Sequence, residues 1–189
     1  MKILLHQCCG PCSVYPVRIL KGMGHDLGGY WFNPNIHPVT EFYKRLETLT
    51  AFDRSENIPL ILDETYGLVD FLKNTAQNHT GRCGYCYRIR LEMTAMTAKQ
   101  HGFDSFTSTL LYSRYQNHDL MVEIANEMAS KYNVGFFYHD FREGWKDGIE
   151  GSKALGMYRQ QYCGCIYSEE DRYLKQLSAK YTQNSQQQQ

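Results

Sequence analysis

Residues 3–21, ILLHQCCGPCSVYPVRILK, predict a short buried strand, a cysteine-rich turn and a helix. Residues 3–6 are mostly apolar, and the run is too short for a helix, which favours a strand. Ser13 is a candidate N-cap for a helix over residues 13–21. A strand that passes through a tight turn into a helix begins a strand-helix-strand unit, so this stretch predicts a parallel sheet.

The same alternation continues along the chain. Further strands are predicted at residues 27–32, 60–62, 105–110 and 135–138. Further helices are predicted at residues 38–52, 68–75, 83–100 and 119–131, with a last helix capped by Ser168 that ends near Ala179. Short apolar strands that alternate with helices are typical of a parallel sheet covered on both faces. The sequence therefore predicts an α/β fold, a single Rossmann-like domain with a mainly parallel sheet and a helical C-terminal segment.

Length and composition favour one domain. The chain has 189 residues, of which 42% are hydrophobic, enough for one well-buried core and short for two. We expect a single catalytic domain over residues 1–181 and a disordered, glutamine-rich tail over residues 182–189. The formal net charge is zero, so any contact with RNA must come from a local basic face.

The apolar segments are short. The apolar run at the start of the sequence ends before it reaches the length of a secretory signal. No stretch approaches the roughly 20 apolar residues of a membrane span. These features predict a cytoplasmic protein with reduced thiols and no membrane partner, which disfavours structural disulfides.

The chain has seven cysteines in three short clusters. They are Cys8, Cys9 and Cys12 in a CCxxC, Cys83 and Cys86 in a CxxC, and Cys163 and Cys165 in a CxC. This is more thiolate than one tetrahedral zinc site uses, and the motifs do not repeat as zinc knuckles do. A soft, sulfur-rich set favours iron–sulfur chemistry. Zinc and a redox-active dithiol remain as alternatives.

The unusual residues follow the predicted strands. They are Cys8, Cys9 and Cys12 after the first strand, Asn33, Pro34 and Asn35 after the second, Tyr112, Ser113 and Arg114 after the fourth, and His139, Asp140, Phe141 and Arg142 after the fifth. The carboxyl ends of parallel strands meet at one edge of a sheet, where sites form. We expect these residues to lie close together. No GxGxxG or GxxxxGK[ST] phosphate loop is present, which disfavours a nucleotide-binding enzyme of the usual kind.

Five segments resemble the cobalamin-independent epoxyqueuosine reductases of the QueH type. They are LLHQCCGPCS (4–13), WFNPNIHPVTEF with KRLE (31–47), GRCGYCYRIRL (81–91), FTSTLLYSRYQNHD (106–119) and FFYHDFREGWKDGIEGSKALGMYRQQYCGCIYSEEDRY (136–173). The resemblance implies a reductase that converts epoxyqueuosine at the tRNA wobble position to queuosine, the last step of tRNA queuosine biosynthesis. It also implies a [4Fe-4S] cluster and an adjacent mononuclear iron, with a tRNA bearing epoxyqueuosine and an unidentified electron donor as partners.

All seven cysteines are candidate metal and cofactor ligands. Cys12 is the best candidate for the second iron, while Cys8 and Cys9 either serve different metals or include one structural thiol. Cys12, Asp140 and Tyr112 are the candidate catalytic residues. For Asp140 and His139 the alternatives are a helix cap and a surface side chain, and for His6 the alternative is a core histidine with satisfied hydrogen bonds.

Basic and aromatic side chains flank the cysteine motifs. The candidate RNA contacts are Arg82, Arg88, Arg90, Arg114, Arg142, Tyr158 and Arg159. Solvated helix faces and ordinary packing are the alternatives for these residues. Two other functions remain open: a zinc-stapled, non-catalytic RNA-binding domain, and a thiol-disulfide oxidoreductase that uses the CxxC. Iron and sulfide content distinguishes all three.

Overall fold

The structure is a computed structural model that describes residues 1–186, and the side chains of residues 1–180. A five-stranded sheet forms the centre, in the order β3-β2-β1-β4-β5 with every pair parallel. The strands are β1 (Lys2–His6), β2 (Asp26–Phe32), β3 (Leu60–Asp63), β4 (Ser105–Ser108) and β5 (Gly135–Phe136). The helices are α1 (Gly10–Gly22), α2 (Val39–Ser55), α3 (Leu68–Thr75), α4 (Arg82–Gln100), α5 (His118–Tyr132), α6 (Trp145–Ala154) and α7 (Ile166–Gln186).

The strand order makes β1 the centre of the sheet. Leu4 pairs with Gly28 of β2 on one side and with Phe106 of β4 on the other. The chain therefore leaves β1 towards one side of the sheet and later returns to its other side. Such a reversal opens a crevice outside the carboxyl ends of the two strands, here β1 and β4. The α/β prediction, with its parallel sheet and helical C-terminal segment, is confirmed.

The first helix begins earlier than predicted. It starts at Gly10, with Cys9 in an extended conformation at the N-cap, so Ser13 is not the cap. The Ser13 hydroxyl instead donates to the Cys9 carbonyl at 2.9 Å from inside the helix. Pro11 explains the earlier start. The N–H groups of the first helical turn have no partner within the helix, so the N–H that proline lacks is not missed there, and the φ of proline is already helical. Cys12 consequently lies in the first turn of α1.

Other boundaries also differ from the prediction. β4 ends at Ser108, whose hydroxyl accepts from the Leu110 N–H at 3.1 Å and starts a 3₁₀ turn over Thr109–Tyr112. β5 ends at Phe136. α7 begins before Ser168, which donates to the Cys165 carbonyl at 2.7 Å, and continues past the predicted end to Gln186.

The disorder predicted for residues 182–189 stays a prediction, and residues 187–189 lie outside the described residues. None of the described helices combines the length and the apolar character that crossing a membrane requires.

Close packing between α1 and α6 leaves no room for a side chain at Gly144. A Cβ at this position would lie 2.1 Å from ring carbons of the buried Tyr15. Gly22, at the end of α1, has no atom within 4 Å of an added Cβ.

We predict that Gly144→Ala lowers the free energy of unfolding by about 1–3 kcal/mol, because the new methyl group overpacks the core. The matched variant Gly22→Ala should change it by less than about 0.5 kcal/mol. Urea unfolding of both variants measures the difference. Equal effects of the two substitutions would contradict the packing described here.

Asp53 is a buried carboxyl group on α2. Its side chain is 1% exposed, and Gln7 Nε2 donates to Oδ1 at 2.8 Å. Within the described residues, Asp53 Oδ2 and Gln7 Oε1 have no hydrogen-bond partner. Burial raises the pKa of Asp53 to about 7. A protonated Asp53 carries a hydroxyl that suits the unpaired oxygen of Gln7.

The pKa of an unfolded aspartate is about 3.9, so the folded chain holds this proton more tightly than the unfolded chain. We predict that the contribution of Asp53 to the free energy of unfolding falls as the pH rises from about 4 to about 7, so the parent loses stability relative to Asp53→Asn over this range. The free energy of unfolding of the parent and of Asp53→Asn, measured across this pH range, tests the prediction. Asp26→Asn, at an exposed carboxylate, is the control and should follow the parent. A parental pH profile in Asp53→Asn would exclude the effect.

Candidate metal centre

Three cysteines lie together at the carboxyl end of β1. The sulfur atoms of Cys8, Cys9 and Cys12, which we call the trio, are all within 4.8 Å of one another. Cys9 is fully buried and Cys12 is 9% exposed. The turn between β1 and α1 produces this arrangement, because the helix brings Cys12 back over the two cysteines that precede it.

The three thiol groups of the trio are close enough to change one another's pKa. Hydrogen bonds from Cys12 and Cys9 lower the pKa of Cys8, and the same bond to Cys8 raises the pKa of Cys12. Burial raises the pKa of Cys9. Three thiolates this close would repel one another, whereas a bound cation would replace the protons. The trio therefore fits a thiophilic metal ion.

Thr109 fixes the trio to the neighbouring strand. The Cys8 N–H donates to Thr109 Oγ1 at 3.1 Å, and the Thr109 hydroxyl donates to Cys8 Sγ at 3.4 Å. Thr109 directly follows β4, so the trio lies in the crevice between β1 and β4. His6, next to it, is buried between Ser108 Oγ at 2.8 Å and the Phe32 carbonyl at 3.2 Å. Burial lowers the pKa of His6 to about 3, so it is a neutral core histidine.

The other four cysteines form a second group. Cys83 and Cys86 lie in the first two turns of α4, and Cys163 and Cys165 lie in the loop before α7. Cys86 and Cys165 belong to one small core cluster with Phe71. The charges of Cys163 and Cys165 both act on Cys86 and on Cys83. We call Cys83, Cys86, Cys163 and Cys165 the quartet.

Arg45 holds the loop that carries half of the quartet. Its guanidinium, 1% exposed, donates to the Cys163 carbonyl at 2.8 Å and to the Tyr162 carbonyl at 3.0 Å. Its Nε donates to Glu41 at 2.7 Å, which supplies the counter-charge. The loop has few backbone partners of its own, so this arginine substitutes for a regular hydrogen-bond ladder.

His37 holds the same loop from the other side. Its N–H donates to the Gly164 carbonyl at 2.8 Å, and its carbonyl accepts from the Tyr162 hydroxyl at 2.5 Å. Burial lowers the pKa of His37 to about 4, so the neutral ring accepts from the Ile166 N–H at Nδ1, 3.3 Å away. Gly164 has a φ of +151°, which other residues rarely adopt. The loop therefore has one defined shape.

A cavity of about 800 Å³ reaches both cysteine groups. Its wall includes Cys8 and Cys12 of the trio and Cys163 of the quartet. Two amides on this wall donate to sulfur: Gln160 Nε2 to Cys12 at 3.2 Å and Gln116 Nε2 to Cys163 at 3.1 Å. Donors of this kind orient metal ligands and tune the metal.

Of the three predicted catalytic residues, Cys12 and Tyr112 line this cavity. The Tyr112 hydroxyl donates to the Trp145 carbonyl at 2.8 Å, and burial raises its pKa, so it stays protonated at neutral pH. Asp140 is outside the cavity wall. It caps the 3₁₀ turn at Phe141–Gly144, and its bonds with Arg142 lower its pKa to about 2.

Two of the predicted RNA contacts, Arg159 and the buried Arg90, are part of the cavity wall, and the exposed Arg114 lies 5.9 Å over the Trp145 ring at the rim. Most of the predicted contacts already have partners within the chain. They are Arg82 with Asp171 at 2.5 Å, Arg88 with Glu127 at 2.6 Å, Arg142 with Asp140 at 2.6 Å, Arg90 with Asn33 at 2.7 Å, Arg114 with the Arg142 carbonyl at 3.3 Å, and Tyr158 with Glu41.

Several residues of the site were missed by sequence reasoning. They are Arg45, Thr109, Gln116, Gln160 and the exposed Tyr115. Gln160 lies close to the CxC in the sequence and offered a weak signal. Arg45, Thr109 and Gln116 lie far in the sequence from the cysteines that they contact, and no spacing in the sequence connects them.

Comparison with known proteins gives a consistent result. Residues 3–171 match the family described as "Epoxyqueuosine reductase QueH". Three proteins named "Epoxyqueuosine reductase QueH" cover most of the chain. The protein of Dehalococcoides mccartyi is 39% identical over 92% of this chain and 96% of its own length. The protein of Acinetobacter baylyi is 34% identical over 90% of this chain and 81% of its own length. The protein of Thermotoga maritima is 33% identical over 88% of this chain and 89% of its own length.

A solved structure shares the fold. It is titled as a predicted subunit of a tRNA methyltransferase from Methanocaldococcus jannaschii, and it covers 81% of this chain and 74% of its own with a TM-score of 0.57. At 13% identity this likeness concerns the fold alone. The family match and the relatives concern the sequence, including the segments that carry the cysteines. The chain belongs to the epoxyqueuosine reductase QueH family.

Proposed function

We propose that the chain removes the epoxide oxygen from epoxyqueuosine at the wobble position of a tRNA and gives queuosine, the last step of tRNA queuosine biosynthesis. Membership of the family supports this reaction. The observation that carries the proposal is the cavity whose wall presents sulfur from both cysteine groups. Loss of the oxygen as water consumes two electrons and two protons, so the substrate requires a source of both beside it.

The two cysteine groups suit two different centres. The quartet supplies the four thiolates that a [4Fe-4S] cluster takes from protein. The trio supplies three soft ligands, and Cys8 and Cys12 face the cavity, as in a catalytic site with an open position. We therefore propose that the quartet holds the cluster and the trio holds the mononuclear iron. When bound, the two centres supply electrons and a Lewis acid for the leaving oxygen.

The polar side chains of the cavity wall bind and orient the substrate. Tyr112 keeps its proton at neutral pH and holds it at Oη, next to Cys12 in the wall. Gln160 binds Cys12 through Nε2, and its Oε1 is buried with no partner among the described residues. This oxygen suits a hydroxyl group of the substrate. A catalytic role for Asp140 stays a prediction, since its carboxylate is ionised at neutral pH and paired with Arg142.

The rim of the cavity suits an unstacked nucleotide. Tyr115 is 84% exposed, and its ring packs edge-on against Trp145 with 5.6 Å between centroids. Arg159 and Arg172 add positive charge to the wall. Single-stranded RNA loops are recognised by stacking bases on aromatic and arginine side chains. We propose that a tRNA bearing epoxyqueuosine binds here, in the cytoplasm, and that a separate, unidentified donor supplies the electrons.

We predict that the two centres can be removed separately. After anaerobic reconstitution with iron and sulfide, Cys86→Ala should lose the labile sulfide, because one iron of the cluster lacks its ligand. Cys12→Ala should keep the sulfide and lose the iron that exceeds the cluster. Iron and sulfide per chain, with the visible spectrum, measure both results. Loss of sulfide in Cys12→Ala together with its retention in Cys86→Ala would reverse the assignment.

The same measurement tests the two alternative functions. A parent protein with zinc and no labile sulfide would support the zinc-stapled RNA-binding domain. A metal-free parent whose CxxC cycles between dithiol and disulfide would support the thiol-disulfide oxidoreductase. Either result would contradict the proposed reductase.

We predict that Tyr115→Ala weakens the binding of epoxyqueuosine tRNA by about 1–3 kcal/mol, the usual contribution of one stacked base. Iron and sulfide content should stay at the parental level, because the Tyr115 ring packs against Trp145. Tyr43→Ala removes another exposed tyrosine ring, on α2 and outside the cavity wall, and serves as the control. Fluorescence anisotropy with labelled tRNA measures the affinities. Parental affinity in Tyr115→Ala would move the RNA surface elsewhere.

A further inference from the structure

Arg90 and Arg88 lie close together on α4 but in opposite environments. Arg88 is exposed and forms an ion pair with Glu127 at 2.6 Å. Arg90 is 2% exposed, on the face of α4 that covers the sheet. Both were predicted from the sequence as phosphate contacts. Only Arg88 lies on the outer surface of the protein.

The Arg90 guanidinium contacts sulfur and amide groups. Its Nη1 donates to Cys86 Sγ at 3.5 Å, and its Nη2 donates to Asn33 Oδ1 at 2.7 Å. Asn33 is itself fixed, because its Nδ2 donates to the Gln7 carbonyl at 2.9 Å. The Arg90 Nε is buried and has no partner among the described residues. The side chain is therefore held rigidly with part of its hydrogen-bonding capacity unused.

The thiol groups around Arg90 come from both cysteine groups. The charges of Cys86 and Cys163 of the quartet and of Cys8 of the trio all act on the guanidinium. In the described part of the chain, no carboxylate forms an ion pair with Arg90. Arg45, the other deeply buried arginine of the site, has Glu41 for this purpose.

A buried charge without a partner is costly, so a counter-charge must come from elsewhere. Cys86 and Cys163, whose pKa values are raised by burial, do not provide it as thiols. Cysteines that bind a metal are deprotonated and carry negative charge into the site. When both cysteine groups bind metal, the negative charge of their thiolates offsets the positive charge of the guanidinium. The guanidinium in turn offsets the charge of the thiolates around it.

We propose that Arg90, which lines the cavity, is a positioning residue that provides the shared counter-charge of both metal centres. This inference rests on the proposed function, since it assumes metal at the trio and the quartet. A cluster bound by four thiolates is anionic, and reduction adds a further negative charge. A fixed positive charge beside it therefore stabilises the reduced form and raises the reduction potential.

Three variants test this role in reconstituted protein. Arg90→Met removes the charge, Arg90→Lys keeps it, and Arg88→Met removes a charge from the outer surface of the same helix. The measurements are the midpoint potential from an anaerobic dye-mediated titration and the retention of metal against a chelator. Arg90→Met should have a more negative potential and about 10–100-fold weaker metal retention. Arg90→Lys should lie closer to the parent, and Arg88→Met should match it.

A fourth variant covers the case in which Arg90→Met does not fold, as judged by circular dichroism. Asn33→Asp keeps Arg90 and places a carboxylate at the acceptor that its Nη2 already contacts. The new charge offsets the guanidinium, so the midpoint potential should again become more negative. Parental values in Arg90→Met, or in Asn33→Asp where only that variant folds, would overturn the inference.

These results are separable from the proposed function. A parent protein that holds metal but leaves epoxyqueuosine tRNA unreduced would contradict the function and leave the comparison of variants intact. Normal reduction by the parent with unchanged potential and metal retention in Arg90→Met would contradict the role of Arg90 alone. A parent protein that retains no metal would contradict both.

Discussion

The contact between Arg45 and the loop before α7 joins the parts of the chain on which the site depends. Cys83 and Cys86 lie at the start of α4, which precedes β4. Cys163 and Cys165 follow the last strand, β5, and the helix after it, α6. Nothing in the sheet itself brings the later pair to the earlier one. The buried guanidinium does so by holding the carbonyls of Tyr162 and Cys163. Its burial is tolerable because Glu41 on the same helix supplies the opposite charge.

The trio depends on a different constraint, the order of the strands. With β1 between β2 and β4, the chain that leaves β1 enters an open crevice instead of passing under a neighbouring connection. Thr109, at the end of β4, closes one side of that crevice against Cys8. Sheet topology thus positions one cysteine group and an arginine-held loop positions the other. The cavity lies where the two meet.

The sequence predicted the elements well because their apolar periodicity is local. Strand and helix boundaries failed where a single residue decided them, as with Pro11, which starts α1 before Ser13, and Ser108, which turns the chain out of β4. The cysteines were identified from their spacing. Their division into two groups was not, because it depends on contacts between residues far apart in the chain. Arg88 and Arg90 look alike in sequence, and only the face of α4 on which each lies separates them.

The burial of Cys9 behind Cys8 and Cys12 has a consequence for the life cycle of the protein. Cys9 is closed off by the core, and its two partners open onto the cavity. In the proposed arrangement, a metal ion that reaches the trio enters through the cavity that also takes the RNA. Maturation and turnover would then share one entrance, and a chain occupied by tRNA would be closed to repair. On this proposal, loading precedes the first encounter with RNA, and a lost metal is replaced only between encounters.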